Sequence, residues 1–294
     1  MKRLFIFFII LSLLLPGCTS QSPQAQVAAT TLPVYEFTAR LCEGTGITVT
    51  RLVTESVSCL HDYSLNVRQV KAAEAAEVVI VSGAGLEEFM EDILENRQII
   101  DCSAGIDILD CENEHDHDHE HEHDHSHSHE QDPHFWLSPE NAKIMVSNIC
   151  AGLTQQYPQY ATTFENNLEA LLVNLDALQG YGEATLADLS CQELITFHDG
   201  FSYFAEAFDL TILEAVEEES GSEASAQELK HLIGLVSDHA LPAVFIETNG
   251  SVSAAEVIAR ETGAEVFSLD MAMSGDSYFD AMYHNIDTIK EALG

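Results

Sequence analysis

Apolar residues follow an alternating order of short runs and helical patterns in the first half of the chain, which predicts an α/β lobe. An apolar stretch around Val34 and a helical pattern to Leu41 precede apolar strand patterns at 47–53 and 78–81. The run at 78–81 is apolar at consecutive positions, as is typical of a strand buried on both faces. Strands alternating with helices predict a largely parallel sheet.

The second half repeats this order after two long helical patterns. Apolar residues recur at helical spacing from Glu140, with a break at Pro158, and a second periodic run extends to about Leu189. A helix of about 30 residues spans about 45 Å, more than one small lobe needs. Strand patterns then follow, at 194–197, 210–213, 243–246 and 265–269. We therefore predict two α/β lobes, 31–157 and 190–294, each with its own core and mainly parallel sheets, joined by one long rigid helix at 158–189.

The first residues carry the pattern of a bacterial lipoprotein signal. Met1-Lys2-Arg3 precedes an apolar run of roughly a dozen residues, too short to span a bilayer. Gly17 and Cys18 follow, and a cysteine directly after a small residue predicts a signal peptide at 1–17 with lipid attached at Cys18. Residues 18–30 are rich in Ser, Gln, Ala and Thr and are expected to form a flexible tether. We thus expect an extracytoplasmic protein anchored to the cell membrane.

Charge and cysteine content narrow the class of protein further. Acidic residues outnumber basic ones 49 to 11, so the surface should repel nucleic acid and attract cations. Six cysteines besides Cys18 form an even number, which is compatible with disulfides outside the cytoplasm. We favour a disulfide between Cys150 and Cys191 and assign the other four cysteines to the N-terminal half. The spacing contains no Cys-x-x-Cys pair and gives no support to a thiolate zinc site.

A low-complexity insert at 112–130 alternates histidine with acidic residues or serine. It has almost no apolar content and is expected to be disordered. Many neutral imidazoles on an acidic tether provide several weak, interchangeable metal sites, which predicts a collector or sensor of zinc. Protonation should abolish this binding as the pH falls through about 6.5. The eight histidines are His115, His117, His119, His121, His123, His125, His127 and His129.

Three isolated histidines and one aspartate stand after likely strands or in loops. They are His61, His134, His198 and Asp270. In open α/β sheets, ligands sit beyond the carboxyl ends of strands, so we expect these side chains to line a cleft between lobes. Three neutral imidazoles and one carboxylate suit tetrahedral zinc.

Two sequence elements carry a specific resemblance to a known family. They are Asp132-Pro-His-Phe-Trp-Leu-Ser-Pro139 and His198-Asp-Gly-Phe-Ser-Tyr-Phe204, with weaker matches at His61-Asp-Tyr and at 245–247 leading to Asp270. Over nearly the whole mature chain the sequence resembles the metal-specific solute-binding proteins of bacterial ABC importers, within them the zinc-uptake branch. The resemblance implies two α/β lobes joined by a long helix, and a monomer that delivers metal to a membrane permease.

Carried over residue by residue, the resemblance implies that His61, His134 and His198 bind the metal through ring nitrogens and that Asp270 supplies oxygen. For the fourth ligand, Glu247, Asp62 and water remain alternatives. The chain departs from the family pattern in its number of cysteines and in Cys59, which lies two residues before His61. A free Cys59 thiol would compete as a soft ligand.

Other metals and other classes of protein are alternatives to zinc delivery. Nitrogen donors and the histidine-rich insert favour Zn²⁺ over Mn²⁺, whose sites lean toward oxygen donors, although affinity order alone also admits copper or nickel. A metal-dependent hydrolase is the alternative enzyme class, but the sequence contains no His-Glu-x-x-His stretch, Gly-x-Ser-x-Gly elbow or phosphate-binding glycine loop. An adhesin is a third class of function, and it is also compatible with lipid anchoring. We therefore expect a transport protein and not an enzyme.

Overall fold

The first lobe is a parallel four-stranded sheet with helices. The computed structural model describes residues 27–55, 60, 63–110, 131–216 and 224–294. The strands lie in the order β2-β1-β3-β4 and all pair in parallel. The elements are β1 (Val27–Ala29), α1 (Leu32–Leu41), β2 (Val49–Arg51), α2 (Val67–Ala75), β3 (Val78–Val81), α3 (Glu91–Leu94) and β4 (Ile99–Asp101), with a 3-10 turn at Glu88–Met90.

Two long helices connect this sheet to a second sheet of the same topology. Its strands lie in the order β6-β5-β7-β8 and again pair in parallel. The elements are α4 (Pro139–Gln156), α5 (Ala161–Leu186), β5 (Glu193–Thr196), α6 (Ser202–Ala207), β6 (Thr211–Ala215), α7 (Ala226–Asp238), β7 (Ala243–Glu247), α8 (Ser253–Thr262), β8 (Glu265–Leu269) and α9 (Tyr278–Leu293), with 3-10 turns at Phe135–Leu137 and Pro158–Tyr160. The predicted α/β fold with mainly parallel sheets is confirmed.

The predicted long helix is also confirmed. The turn at Pro158–Tyr160 leads directly into α5, which has 26 residues and is therefore about 39 Å long. Gly182 lies inside this helix, where the ring of Phe208 approaches so closely that an added Cβ would lie 2.2 Å from it. The glycine therefore allows α5 to contact the residue that ends α6.

The inner faces of the two sheets pack into one large core that both lobes share. Val78 and Ile80 of β3 face a cluster that also contains Phe245 of β7, whereas the alternate residues of each strand face smaller clusters on the outer sides. Each lobe thus has a smaller core of its own on the outer face of its sheet, while the largest core is shared between the lobes.

The N-terminal boundary of the fold also differs from the prediction. Residues 27–29 form the buried strand β1, so the predicted tether at 18–30 ends earlier, while residues 18–26 lie outside the described part of the chain. Val34, which was assigned to a strand, lies in α1, where Pro33 occupies the first helical turn. Three apolar residues were too short a pattern to reveal β1, and β4 was missed for the same reason.

The predicted disulfide between Cys150 and Cys191 is wrong. Both residues are free thiols, as are Cys42 and Cys102, while Cys59 and Cys111 lie outside the described residues. Cys150 faces the shared core from α4, and the sulfur of Cys191 lies 3.4 Å from the carbonyl of Glu193. Burial raises the pKa of Cys42 to about 12, which makes this thiol unreactive.

Within the ranges described above, no helix combines the length and apolar character needed to cross a membrane.

Candidate metal centre

His134 occupies a fixed position because the sequence after it begins a helix. Pro139 stands at the first position of α4, and the Ser138 hydroxyl accepts a hydrogen bond from the backbone of Asn141 at 3.4 Å. This start forces the preceding residues into the 3-10 turn Phe135–Leu137, all of which are buried. The Asp-Pro-His-x-Trp-Leu-x-Pro element thus holds His134 just before the 3-10 turn that precedes the start of α4.

Asp132 sets the orientation of the His134 ring. Its Oδ1 accepts a hydrogen bond from the backbone N–H of His134 at 2.9 Å and lies 2.8 Å from Nδ1 of the ring. His134 is only 3% exposed and Asp132 only 1%. A carboxylate at Nδ1 favours the tautomer that carries its proton there and leaves the lone pair on Nε2. His134 is therefore prepared to bind a metal through Nε2.

The second lobe contributes three polar side chains from the carboxyl ends of adjacent strands. His198 follows β5, Glu247 ends β7 and Asp270 follows β8, and these strands are neighbours in the sheet. The rings of His198 and His134 have centroids 5.1 Å apart and meet edge to face. Nδ1 of His198 lies 4.0 Å from Oε2 of Glu247. The structure thus brings imidazoles from both lobes together beside carboxylates.

The carboxyl group of Glu247 is influenced electrostatically by Asp270. Burial is the main cause that raises the pKa of Glu247 to about 7, and the charge of Asp270 is the second cause. Asn285 of α9 holds Asp270 from both sides, because its side chain accepts from the Asp270 backbone N–H and donates to the Asp270 carbonyl, each at 2.7 Å. Oδ1 of Asp270 also accepts from the backbone of Ala272 at 2.7 Å. A nearby cation would favour the charged form of the Glu247 carboxyl group.

The segment after Asp270 is hydrogen-bonded to the first lobe. The Trp136 indole donates to the carbonyl of Met271 at 2.7 Å, the backbone of Leu32 donates to the carbonyl of Met273 at 3.2 Å, and Arg51 donates to the carbonyl of Gly275 at 2.7 Å. Trp136 also packs edge to face against His134, with ring centroids 5.3 Å apart. The same indole therefore links His134 to the segment that carries Asp270.

Several predicted site residues lie outside the described part of the chain. These are His61, its neighbours Cys59 and Asp62, all eight histidines of the insert and Cys18. Among the residues that are described, no group of three His, Cys, Asp or Glu side chains is arranged to hold a metal ion. The structure brings His134 and His198 together, and metal binding by these two residues and by His61 stays a prediction.

Sequence reasoning missed several contacts that hold the site in place. Asp132 belongs to the quoted element, and its position two residues before His134 was the available signal for a carboxylate partner. The contacts of Asn285 and of the Tyr203 hydroxyl could not be identified, because they join segments far apart in the chain. Tyr203 accepts a hydrogen bond from Leu109 at 2.8 Å and donates one to the Asp132 carbonyl at 3.0 Å.

The fold and the site define a two-lobed α/β protein with a candidate metal site, to which each lobe contributes an imidazole. Residues 27–292 match the model of the family described as "ZnuA: Zinc-uptake complex component A periplasmic". The chain belongs to this family, whose members are solute-binding proteins and not enzymes.

Relatives with different metals in their names are similar over nearly their full length. The chain is 28% identical to the "High-affinity zinc uptake system protein ZnuA" of Bacillus subtilis, over 93% of this chain and 89% of that one. It is 25% identical to the "Manganese-binding lipoprotein MntA" of Halalkalibacterium halodurans, over 100% and 99%. A crystal structure of ZnuA has a TM-score of 0.77 and 28% identity, covering 92% of this chain and 100% of that one.

Proposed function

We propose that this protein captures Zn²⁺ outside the cytoplasm and delivers it to an ABC-type importer in the membrane. The observation that carries the proposal is the pair of imidazoles, His134 and His198, which come from different lobes and have ring centroids 5.1 Å apart. Asp132 orients one ring and Glu247 lies 4.0 Å from the other. Paired imidazoles with carboxylate partners are typical of zinc sites.

The complete ligand set would be His61, His134, His198 and Asp270. The placement of Asp270 and Glu247 at the ends of adjacent strands supports an oxygen ligand from this edge of the second sheet. Asp270 is the better candidate, because Asn285 fixes its backbone, whereas burial of Glu247 favours its neutral form. Three nitrogens and one oxygen favour Zn²⁺ over Mn²⁺.

Equilibrium zinc titration of the mature protein lacking 112–130 tests the site. We expect one tight site, which is lost when His134→Ala and His198→Ala are combined. His239→Ala is a matched control, since this exposed imidazole also pairs with a carboxylate, Glu193, at 2.9 Å. Tight binding that persists in the double variant would reject the proposed centre. A parallel Mn²⁺ titration tests metal choice, and tighter binding of Mn²⁺ would reject zinc as the cargo.

Delivery and anchoring require separate experiments in cells. We expect the protein to be a lipid-anchored monomer attached through Cys18, so Cys18→Ser should move it from the membrane fraction to the soluble fraction. Loss of zinc uptake at low external zinc in the His134→Ala variant, with normal protein abundance, would support delivery to a permease. Normal uptake in that variant would count against it.

The insert at 112–130 would raise the local zinc concentration beside the centre. The residues that flank it support this role, because Asp110 and Gln131 pair with each other and Asp132, the partner of His134, follows directly. Deleting the insert should lower the zinc stoichiometry at neutral pH without removing the tight site. Unchanged stoichiometry would contradict the collector role.

A further inference from the structure

The hydroxyl of Tyr203 is inserted between two backbone segments that otherwise pair directly. Asp132 donates to the carbonyl of Leu109 at 2.8 Å, as one half of an antiparallel residue pair. In a regular pair, Leu109 would return a bond to the carbonyl of Asp132. Instead, Leu109 donates to the Tyr203 hydroxyl at 2.8 Å, and this hydroxyl donates to the Asp132 carbonyl at 3.0 Å.

This inserted hydroxyl connects the two lobes at the metal centre. Tyr203 lies on α6 of the second lobe, five residues after His198, and is only 2% exposed. Asp132 belongs to the first lobe, and its carboxylate holds both the backbone and Nδ1 of His134. A chain of hydrogen bonds therefore runs from the His198 segment through Tyr203 and Asp132 to the His134 ring.

We propose that Tyr203 is a positioning residue for metal capture, whose hydroxyl fixes Asp132 and thereby the direction of Nε2 of His134. This inference rests on the proposed metal-binding function. Without the hydroxyl, Leu109 and Asp132 can bond directly at about 2.9 Å, which draws Asp132 toward Leu109 and rotates His134. The aromatic ring is not required for this effect, although it also packs edge to face against Phe135.

Tyr203→Phe tests the proposal because it removes the hydroxyl and keeps the ring. Groups that orient metal-binding histidines change affinity by about 10–100-fold when removed, so we expect at least tenfold weaker zinc binding. Tyr157→Phe is the matched control, since its buried hydroxyl donates to Glu77 at 2.9 Å in the first lobe. It should leave zinc affinity unchanged. Thermal melting would show that both variants are folded.

Two further measurements separate positioning from a purely structural role. The ring-nitrogen chemical shifts of His134 in the zinc-free protein should change in Tyr203→Phe, while those of exposed His239 should not. The loss of affinity should persist in the protein lacking 112–130, because the hydroxyl acts on His134. Unchanged zinc affinity, unchanged His134 shifts, or an effect that requires the insert would each overturn the proposal.

The same experiment distinguishes this inference from the proposed function. If the wild-type protein shows no tight zinc site, the proposed function fails, while the His134 shifts still report on the Tyr203 contact. If the wild-type protein binds zinc tightly and Tyr203→Phe binds it equally well, only the positioning role is overturned.

Discussion

Replacing Glu247 with Gln should stabilise the zinc-free protein at high pH while weakening zinc binding. Burial and the charge of Asp270 raise the pKa of Glu247 from its ordinary value of 4.5 to about 7. Glu247 is 4% exposed, so solvent screens its charge only weakly. In the unfolded chain the carboxyl group loses its proton near pH 4.5, but the folded protein keeps it until about pH 7.

Because the folded state binds more protons in this window, the contribution of Glu247 to stability falls as the pH rises from 4.5 to 7. At 1.36 kcal/mol per pKa unit, the complete loss is roughly 3 kcal/mol. A glutamine stays neutral, so Glu247→Gln should equal the wild type near pH 4.5 and be more stable by up to about 3 kcal/mol at pH 8.

Urea unfolding with a chelator present, at several pH values from 4.5 to 8, measures this difference directly. Comparing wild type with variant at each pH cancels the titration of other groups. Zinc affinity should fall in the variant, because a carboxylate beside the metal is lost. A stability difference that does not grow with pH would refute the reasoning.

Glu87→Gln provides a contrasting control for the same measurement. Burial raises the pKa of Glu87 to about 7 as well, but its carboxylate accepts bonds from Thr30, Ser82 and Gly83 at 2.7, 2.7 and 3.0 Å. A glutamine has only one acceptor oxygen and leaves a buried donor unpaired. The loss of about 1–3 kcal/mol from this donor offsets the gain of up to about 3 kcal/mol that a neutral side chain brings at pH 8, so we expect little or no net stabilisation of Glu87→Gln at pH 8.

Three further predictions concern other parts of the site. Trp136→Phe leaves the carbonyl of Met271 without the indole donor and should lower the free energy of unfolding by about 1–3 kcal/mol in urea titrations; no loss would show that this link is dispensable. Asn285→Leu removes both bonds to Asp270 and should weaken zinc binding in competition titrations, whereas unchanged affinity would argue against Asp270 as a ligand. The extra zinc bound through 112–130 at pH 7.5 should disappear by pH 5.5, because imidazoles protonate near pH 6.5; persistence at pH 5.5 would point to the carboxylates instead.

The sequence was sufficient to predict the elements with strong periodicity. Val78–Val81 and the long helix α5 have clear patterns, and both were found as expected. The three-residue strand β1 has too few positions to show a period, so it was assigned to the tether. For long periodic elements, local pattern is enough; for short buried strands, the neighbouring strands supply the stabilisation.

The candidate site was predictable only where its chemistry is local. His134 and His198 stand in distinctive elements, and the structure brings them together. The contacts of Asn285 and Tyr203 depend on how distant segments pack, which periodicity does not encode. The error over Cys150 and Cys191 has the same origin, because an even number of cysteines carries no information about their distances.

The shared core has a consequence for attempts to dissect the protein into halves. The cluster that covers the inner faces of both sheets includes Phe37 of α1, Phe164 of α5 and Ile289 of α9. A fragment ending after α5 would lose the contacts of α9, and Phe37 would lose the ring of Tyr278, which lies 4.9 Å away. Separately expressed halves should therefore aggregate or remain partly unfolded, yet recover structure when they are refolded together.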